Sequence, residues 1–462
     1  MMVDGTEATN PGHSRSLSMR GSTLALPALL FPVLVGAQVS MPVSYVVLDE
    51  DFADGDNPGM SSQWLYSADQ PAFVPDCSGD WAVTLPNLLD PNLIGPWMFY
   101  PISVIDPFVS YELRYTASSP FTADPFIGPE ARGALCWFNP NTSTIYGTDY
   151  MWQRSPYCTE SFIGNIPPPP PADPDAQYGV LLTLGYGEVM GNPADAYLQY
   201  ERVRVTARQR RAYLRAFALL GGPYDPVTQR MRADLSTQVL IPLTEPFTAL
   251  GYPQIGGGGG ETTTPEVLAI NSQANGRVVD WVRLELRAIS DSSNIVAVRH
   301  GLLMQNGLLI SASGEVGVLF DALYGGYYVA VRPRNHLGVM TNDHWMVPAP
   351  NGGDWLLHFD LPGMGLYGTQ PARIDGEQRL LWPGNAHHDH VVKYTGITND
   401  RDPILIAVGS STPANTVNGQ YRMEDLNMDG MVKYTGGSND RDIILQAIGG
   451  SIPNAMRYEQ LP

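Results

Sequence analysis

Hydrophobic and polar residues alternate along a stretch in the middle of the chain, residues 278–287. Its second half alternates aliphatic with charged residues, namely Val282, Leu284 and Leu286 with Arg283, Glu285 and Arg287. Successive side chains of a strand point to opposite faces of its sheet, so this alternation predicts a half-buried antiparallel strand. The charged face of the strand is expected to contact solvent.

A β-hairpin is predicted directly after this strand. Residues 295–298 and 302–304 are apolar, Asn306 and Gly307 follow, and residues 308–310 are apolar again. Asn-Gly is the strongest two-residue turn signal, because a tight hairpin requires positive φ angles that these residues adopt readily. A further strand is predicted over residues 327–331, and the region 207–376 is interpreted as an Ig-like β-sandwich.

Short apolar or aromatic runs, separated by turn residues, also occur throughout the region before it. These runs cover residues 81–85, 97–100, 109–115, 134–138, 178–184 and 197–205. This spacing is typical of a jelly roll, so residues 38–206 are predicted to form a jelly-roll, lectin-like β-sandwich. The predicted fold class is mainly β, with two antiparallel β-sandwich or jelly-roll domains followed by a small helical duplicated module at 377–462.

Composition agrees with this prediction and limits the kinds of partner. The 462 residues include 47 Gly and 40 Pro without a three-residue period, which excludes collagen and favours a protein rich in turns. Acidic residues outnumber basic residues by 46 to 27, giving a formal net charge of −19. This excess of negative charge argues against a nucleic acid or an anionic membrane as the main partner and favours cation binding.

An uncharged apolar run at residues 24–37 follows Arg20 and ends in Val35-Gly36-Ala37. This arrangement matches a secretory signal, so residues 1–37 are predicted to be a signal peptide. No later segment has about 18 uninterrupted apolar residues, so no membrane span is expected. The predicted location is secreted, extracellular or on the cell surface.

The cysteines are Cys77, Cys136 and Cys158, all in the first third of the chain. One disulfide is expected in an oxidising compartment, and Cys136 with Cys158 is the preferred pair because both flank one loop-rich stretch. The sequence does not decide among the three pairings.

The most specific feature of the chain is an internal duplication. Residues 385–409 and 425–449 align at a constant offset of 40 with 14 identities in 25 positions. The second copy begins with Asp425, Asn427, Asp429 and Gly430, in the order of the first half of an EF-hand or dockerin calcium loop. Alternate side chains of such a tight loop direct oxygen atoms inward, and the backbone carbonyl of Met431 is expected to supply another ligand.

The acid that closes an ordinary loop is displaced along the chain in the second copy. Position 12 is Gly436, and the acids follow at Asp440 and Asp442. Either of these is predicted to close the calcium site from the start of a helix over 440–448. Asn439 is expected to cap that helix, with the acids favourably placed in its first turn.

The first copy offers a poorer set of calcium ligands. Asn385, His387 and Asp389 replace the three ligands, Asp400 is equivalent to Asp440, and His390 replaces the glycine. Weaker calcium binding or none is expected. Alternatively, the cluster His387-His388-Asp389-His390 holds zinc or copper, since imidazole suits those ions.

Two further groups of residues allow alternative interpretations. Lys393 and Lys433 occupy equivalent positions in the repeat and are predicted to form surface or inter-repeat salt bridges with an acid of the Asn-Asp-Arg-Asp segments. The alternative is an intramolecular Lys–Asn isopeptide crosslink. Residues 202–215 carry six arginines, interpreted either as a solvated strand face or as a docking surface for an acidic domain or a polyanionic glycan.

Residues 221–462 resemble a family of large secreted proteins of Bacteroidota-type bacteria. The resemblance rests on the segments 278–287 and 327–341 and on the duplicated Val-Lys-Tyr-Thr-Gly and Asn-Asp-Arg-Asp motifs. Members of that family carry a C-terminal duplicated dockerin-like module. The resemblance implies extracellular placement and calcium binding rather than a reaction, with Asp425, Asn427, Asp429 and Asp440 as the metal residues. The first site departs from the family pattern at His390.

No recognised catalytic motif occurs in the sequence. The best isolated polar cluster, Arg334-Asn335-His336, is interpreted as a hydrogen-bonded strand end rather than a catalytic base. The predicted function is a non-enzymatic, calcium-stabilised structural or adhesion protein, with self-association as one form of that role. The alternative is a glycan-binding protein that uses aromatic platforms such as Trp64, Trp81, Trp97 and Trp137, and the third hypothesis is a hydrolase with an unrecognised site.

Overall fold

The computed structural model describes residues 44–54, 57–58, 60–67, 72–75, 81–85, 97–102, 105–118, 129–146, 150–153, 159–165, 167, 169–186, 198–350, 352 and 355–462. All of them belong to one compact unit, Ala37–Pro462. The predicted signal peptide at 1–37, together with Cys77 and Cys158, lies outside the described residues.

The first part of the chain contains two six-stranded antiparallel sheets, as the spacing of its apolar runs predicted. The first sheet has the order β12-β8-β14-β6-β5 with β1 also paired to β14, and the second has the order β10-β9-β13-β7-β4 with β11 paired to β9. A two-residue ribbon, β2-β3, lies apart from both. The strands are β1 Ser44–Glu50, β2 Ala53–Asp54, β3 Asn57–Pro58, β4 Leu65–Tyr66, β5 Ala72–Pro75, β6 Trp81–Leu85, β7 Trp97–Pro101, β8 Val109–Ser118, β9 Pro129–Asn139, β10 Thr144–Tyr146, β11 Tyr150–Gln153, β12 Thr159–Asn165, β13 Gln177–Tyr186 and β14 Leu198–Gln209.

The core of this part is formed by alternate residues of its long strands. In β14, Val203 and Val205 are buried while Arg202 and Arg204 are exposed, which is the period of two expected for a sheet with one solvated face. Buried aromatic residues of β8 and β13 pack against them, including Tyr111, Tyr115 and Tyr178.

The predicted sugar platforms are part of this core. Trp64 is 3% exposed and Trp97 is 5% exposed, so neither presents a flat face to a ligand. Trp64 also donates its indole N–H to Glu50 Oε2 at 3.1 Å. Trp137 is half-buried with its ring 5.7 Å from that of Tyr178, and the side chain of Trp81 lies outside the description. The platform prediction is therefore wrong for Trp64 and Trp97, because their large apolar surface is buried between the sheets.

Cys136 is a buried free thiol on β9. The preferred pairing of Cys136 with Cys158 is therefore wrong. Burial raises the pKa of the Cys136 thiol to about 12, so the group behaves as a small apolar side chain.

The middle of the chain is organised around one seven-stranded antiparallel sheet, with the order β23-β22-β21-β25-β26 and with β20 and β27 at its margins. Smaller sheets of two or three strands surround it in the described residues, in place of the second facing sheet of the predicted Ig-like sandwich. The elements are β15 Arg211–Leu214, β16 Ala216–Phe217, β17 Leu219–Leu220, β18 Tyr224–Asp225, β19 Arg230–Met231, α1 Asp234–Thr237, α2 Pro265–Leu268, β20 Asn271–Ser272, β21 Gly276–Ala288, β22 Asp291–Met304, β23 Leu309–Ser311, β24 Val318–Leu323, β25 Gly325–Pro333, β26 Val339–Met340, β27 Trp345–Val347, β28 Leu357–His358, β29 Ala372–Asp375 and β30 Gln378–Leu381.

The predicted hairpin is confirmed. Strands β22 and β23 pair with Leu302 opposite Ile310, and Gly307 in the turn has a φ angle of 88°. A side chain would be strained at this φ angle, which explains why glycine occupies the position.

The charged face of β21 is not in solvent. Arg283, Glu285 and Arg287 are 0%, 1% and 2% exposed, so the half-buried strand expected from the alternation is wrong. Arg283 Nη2 donates to the carbonyl of Pro253 at 2.8 Å, and Arg287 Nη1 donates to that of Pro462 at 3.2 Å. A loop and the C-terminal residues therefore cover this face.

The C-terminal part contains two short helices and two two-stranded sheets, β31-β34 and β32-β33. Its elements are β31 Val391–Lys393, α3 Arg401–Ala407, β32 Thr416–Asn418, β33 Met431–Lys433, α4 Asp440–Ala447 and β34 Met456–Tyr458. The predicted cap of α4 is confirmed, because the Asn439 side chain accepts a hydrogen bond from the N–H of Asp442.

Within the residues that the structure describes, no helix has the length and apolar character needed to cross a membrane.

Candidate functional sites

The two copies of the repeat, here called the first loop (385–402) and the second loop (425–442), share one backbone conformation. Positive φ angles recur at the same offset of 40, in the pairs His388 and Met428, His390 and Gly430, Gly396 and Gly436, and Thr398 and Ser438. The duplication seen in the sequence is therefore also a duplication of structure.

Two carboxylates hold the second loop together from the inside. Asp425 Oδ1 accepts the N–H of Asp429 at 3.1 Å, and its Oδ2 accepts the N–H of Gly430 at 2.9 Å. Asp440, at the start of α4, accepts the N–H groups of Leu426 and Lys433 at 2.7 and 2.8 Å. One acid closes the turn, and the other connects its two ends.

Both acids are completely buried, with an exposed fraction of 0%. Burial and, to a smaller extent, the nearby charge of Asp425 raise the pKa of Asp440 to about 7, although the backbone N–H of Lys433 opposes the shift. Burial likewise raises the pKa of Asp425 to about 6, although the positive charge of Arg334 opposes the shift. A buried carboxylate is costly unless a cation or enough donors compensate it. The second loop therefore concentrates negative charge that a bound cation would stabilise.

Asn427 and Asp429 complete the polar lining of the second loop. Asn427 Oδ1 accepts the N–H of Asp429 at 2.9 Å, and Asp429 Oδ1 accepts the N–H of Met431 at 2.9 Å. The Asn427 amide donates to Asp429 Oδ2 at 3.1 Å. Carboxylate and amide oxygens at alternate positions of a tight loop are the donor set that a hard cation such as Ca²⁺ prefers.

The backbone carbonyls of the same residues face the other way, toward the middle of the chain. The amide of Asn335 donates to the carbonyl of Asp425 at 2.7 Å. Arg232 donates to the carbonyl of Asn427 at 2.8 Å, and Gln238 donates to that of Asp429 at 2.8 Å. Every second residue of the loop is therefore fixed by a side chain from the β-sheet region. No sequence pattern singled out Arg232 or Gln238, because their partners lie about 190 residues away.

Two of the predicted calcium ligands, Asp442 and Met431, are placed differently from the four side chains described above. Asp442 lies at the surface of α4, where its carboxylate accepts from the Asn439 amide at 2.9 Å and pairs with Arg441 at 2.9 Å. Asp442 is thus not brought into the loop, and Asp440 is the acid that closes it. Met431 directly follows the turn and begins β33, opposite Asn418 of β32.

The first loop repeats this arrangement with fewer charges. Asp400 is buried, accepts the N–H groups of His387 and Lys393 at 2.9 and 2.8 Å, and has its pKa raised by burial to about 7. Asn385 Oδ1 accepts the N–H of Asp389 at 3.2 Å, as Asp425 does for Asp429. The His387 side chain is exposed and contributes no ligand to the interior.

The ammonium group of Lys393 contacts other residues of the first loop. Lys393 Nζ lies 3.5 Å from Asp389 Oδ2 and donates to Thr398 Oγ1 at 2.7 Å and to the carbonyl of Ile397 at 3.3 Å. The salt bridge expected with the Asn-Asp-Arg-Asp segment is therefore wrong, since the partner is Asp389. Lys433 makes no equivalent ion pair in the described part of the chain. Among the described residues, the two loops thus differ in that only the first pairs its lysine with one of its own acids.

The histidine cluster of the first loop does not assemble a zinc or copper site. Across the described residues, the one group of three or more His, Cys, Asp or Glu ligand atoms within 4.8 Å of one another is Glu245, Glu261 and His300. The zinc or copper alternative for His387, His388, Asp389 and His390 gains no support from this grouping. By the same measure, the carboxylates of Asp425, Asp429 and Asp440 in the second loop do not all lie within 4.8 Å of one another.

The carboxylates of the group Glu245, Glu261 and His300 are engaged in a hydrogen-bond network. Glu245 Oε1 accepts from the hydroxyl of Thr248 and from the N–H of Gly260, and Oε2 accepts from the N–H groups of Phe247 and Thr248. These four donors use the lone pairs that a metal would need. His300 Nδ1 lies 2.7 Å from Glu261 Oε2.

The cluster Arg334-Asn335-His336 is buried and hydrogen-bonded. Arg334 Nε donates to Asp280 at 2.7 Å, and its guanidinium lies 4.2 Å from the ring centre of Tyr421. His336 Nε2 accepts the N–H of Gly222 at 3.0 Å, and burial lowers the pKa of His336 to about 3. These contacts connect the C-terminal part to the sheet region and leave the imidazole inaccessible to a substrate.

A second polar surface lies on the outer face of the first sheet. A groove of about 310 Å³ is lined by side chains of β8 and β14, among them Glu112, Arg114, Thr116, Arg202, Arg204, Thr206 and Arg208. The four arginine side chains are 42% to 59% exposed. The solvated strand face inferred from the sequence is therefore a concave, arginine-lined surface.

Comparison with known proteins assigns no family. No family model and no curated protein matches the chain. Solved structures with partial likeness include the CBM22-1 xylan-binding domain of Xyn10C from Paenibacillus barcinonensis, at 9% identity and a TM-score of 0.24, covering 36% of this chain and 97% of that one.

Two others have similar scores. The C-terminal CBM6 of LamC from Zobellia galactanivorans has 16% identity and a TM-score of 0.20, covering 34% of this chain and 98% of that one. An apo form cyclase from Fischerella sp. has 11% identity and a TM-score of 0.24, covering 36% and 98%. Likenesses at these TM-scores carry no argument about ligand or activity.

Proposed function

We propose that the chain is a secreted, non-enzymatic β protein whose second loop binds one calcium ion, and that the ion stabilises the attachment of the C-terminal part to the central sheet. The observation that carries the proposal is the pair of completely buried carboxylates, Asp425 and Asp440, in a loop whose alternate side chains supply oxygen atoms. The resemblance to secreted proteins with a duplicated dockerin-like module points in the same direction.

The calcium ion would neutralise charge that is otherwise costly to bury. A hard divalent cation prefers six to eight oxygen ligands, and Asp425, Asn427, Asp429 and Asp440 supply side-chain oxygens within one loop. Extracellular calcium sites often have dissociation constants of about 10⁻⁴–10⁻³ M. Millimolar calcium would then stabilise the folded chain by about 1–2 kcal/mol.

Thermal unfolding in millimolar calcium, millimolar magnesium and chelator tests this proposal. We expect calcium alone to raise the melting temperature of the wild-type chain. Asp440→Asn should remove the calcium-dependent shift, since it removes the buried charge that closes the loop. Asp442→Asn is the matched control, because Asp442 lies at the surface two residues away, and it should keep the full shift.

Circular dichroism in chelator shows whether the Asp440→Asn variant is folded. If that variant does not fold, Asp425→Asn serves as the second variant. A wild-type melting temperature that calcium leaves unchanged would overturn the proposal. So would a full calcium shift in folded Asp440→Asn.

Two biological roles follow for a stabilised extracellular β protein. The first is a structural or adhesive subunit, which includes self-association. Imaging and sizing of the mature protein with calcium and with chelator tests it: ordered assemblies would support a structural subunit, and a monomer under both conditions would exclude self-association.

The second role is glycan binding, and the arginine-lined groove on the first sheet favours it. The groove is concave, polar and accessible, whereas Trp64 and Trp97 are buried. A glycan array probed with the full chain tests this role, and the absence of binding to every glycan would contradict it.

A further inference from the structure

We propose that the arginine-lined groove binds an extended acidic polysaccharide that carries carboxylate or sulfate groups along its length. This inference rests on the proposed glycan-binding role and names its ligand class. The surface is formed by Arg202, Arg204 and Arg208 on β14 and by Arg114 on the neighbouring strand β8.

The arginines of β14 form a straight row. Residues two apart on a strand point to the same face and lie about 6.7 Å apart, so Arg202, Arg204 and Arg208 extend over about 20 Å. The intervening Val203, Val205 and Ala207 are buried in the core, which fixes the direction of the row. A row of guanidinium groups on a rigid strand suits a ligand that is itself extended and carries repeated negative charges.

Like charges face each other across the two strands. Arg204 is the direct cross-strand partner of Arg114 in the register of β14 with β8. Like charges in directly opposite positions repel each other, and in the free protein Glu112 and Asp49 offset this repulsion. A bound anion could take the place of these acids between the two guanidinium groups.

The acids described on this face are each shared between two arginines. Asp49 lies 2.9 Å from Arg202 Nε and 3.8 Å from Arg204 Nε. Glu112 lies 2.6 Å from Arg114 and 3.2 Å from Arg208. The pairs of Asp49 with Arg202 and Arg204 are largely exposed and contribute little to stability, so an incoming carboxylate or sulfate can exchange with them at small cost. The four arginines outnumber Asp49 and Glu112 on this face, although the formal net charge of the chain is −19.

The chemistry of the groove favours a polysaccharide over a protein. The guanidinium group pairs with carboxylate and sulfate oxygens through two parallel hydrogen bonds, and the threonine hydroxyls of Thr116 and Thr206 line the same groove. Hot spots of protein interfaces are enriched in Trp and Tyr as well as Arg, and they lie in desolvated pockets. The described outward-facing residues of this groove include no aromatic side chain, and its arginines remain exposed.

The test uses the full chain, with binding measured to alginate and polygalacturonate as acidic probes and to xylan and laminarin as neutral ones. We expect binding to the acidic probes, weakened by added salt because the contacts are electrostatic. The double variant Arg114→Gln with Arg204→Gln should lower the affinity by about tenfold or more, since two charge-assisted contacts are lost. Arg373→Gln is the control, because Arg373 is also an exposed arginine paired to an acid but lies elsewhere, and it should keep wild-type affinity.

The outcomes separate this inference from the glycan-binding role. Neutral probes bound as well as acidic ones would overturn the acidic ligand class and leave glycan binding intact. Acidic binding that the double variant does not weaken would overturn the groove as the site. Equal binding of single-stranded DNA or polyphosphate would show a general polyanion surface and overturn the polysaccharide assignment, and no binding to any glycan would overturn both proposals.

Discussion

At the residue scale, the two copies of the repeat show how one backbone accommodates different side chains. Gly430 and His390 occupy equivalent positions with φ angles of 81° and 65°. A residue other than glycine pays about 1–2 kcal/mol in this left-handed region. The first loop therefore carries this backbone strain at His390, whereas the second loop has glycine at the equivalent position.

Gly430→Ala should destabilise the chain for two reasons that a control separates. The φ angle of 81° penalises any Cβ atom, and a Cβ at this position would lie 2.5 Å from Gln238 Oε1. Gly419 has a φ angle of 67° with open space around it, so Gly419→Ala measures the backbone penalty alone. Urea unfolding should show a larger loss for Gly430→Ala, and equal losses would contradict the role given to the Gln238 contact.

A second prediction concerns the lysine of the first loop. Lys393 places an ammonium group against Asp389 and Thr398, so the side chain supplies the positive charge that a metal would otherwise bring. Lys393→Gln should lower the free energy of unfolding by about 1 kcal/mol. Lys433→Gln should have a smaller effect, because Lys433 makes no such ion pair in the described part of the chain.

Calcium titration by calorimetry extends the comparison of the two lysines. We expect one ion per wild-type chain, because the ammonium of Lys393 competes with a second ion in the first loop. Two equivalent ions in the wild-type chain would contradict the role of Lys393. Removal of that lysine should favour a second, weaker binding event.

At the scale of elements, local signals predicted structure better than they predicted burial. The strands β8, β13 and β14, the Asn306-Gly307 hairpin and the helix α4 with its cap at Asn439 all follow from short-range patterns and were confirmed. The charged face of β21 was placed in solvent because an alternating strand has the same pattern whether water or protein covers it. The covering residues, such as Pro253 and Pro462, are distant in sequence, so no local pattern could reveal them.

The covered face of β21 leads to a prediction about acid stability. Glu285 is 1% exposed and lies 2.8 Å from Arg283 and 2.7 Å from Arg287. Burial by itself would raise the pKa of Glu285, but the charges of Arg332, Arg287 and Arg283 outweigh it and hold the pKa below its usual value of 4.5. Removing one member of a buried charged group typically costs about 3–5 kcal/mol, so Glu285→Gln should be strongly destabilising.

The sign of the pH effect follows from the lowered pKa. The folded chain binds fewer protons at Glu285 than the unfolded chain does, so the stabilisation is fully present above about pH 4.5. It is lost as the pH falls through the lower folded pKa. Urea unfolding between pH 6 and 3 should therefore show a shallower loss of stability for Glu285→Gln than for the wild type. Asp375→Asn, which removes an exposed pair with Arg373, should keep the wild-type slope.

At the scale of the whole molecule, the second loop is attached to the central sheet region by side-chain hydrogen bonds. Asn335, Arg232 and Gln238 each donate to a backbone carbonyl of the second loop. Arg334 also connects Asp280 of β21 to the ring of Tyr421. The proposed ion, by ordering the inner side of this loop, would therefore also order the outer side, where the sheet region makes its contacts.

This arrangement predicts that removal of calcium loosens two distant segments together. Hydrogen exchange should show lower protection in chelator for the second loop and also for β21, which is reached through Asp280 and Arg334. The core strands β8 and β14 of the first sheet have none of these described contacts and serve as an internal control, with unchanged protection. Loss of protection confined to the second loop would show that the hydrogen bonds from Asn335, Arg232 and Gln238 do not transmit the effect of the ion. Equal loss in β8 and β14 would show that chelation destabilises the whole chain.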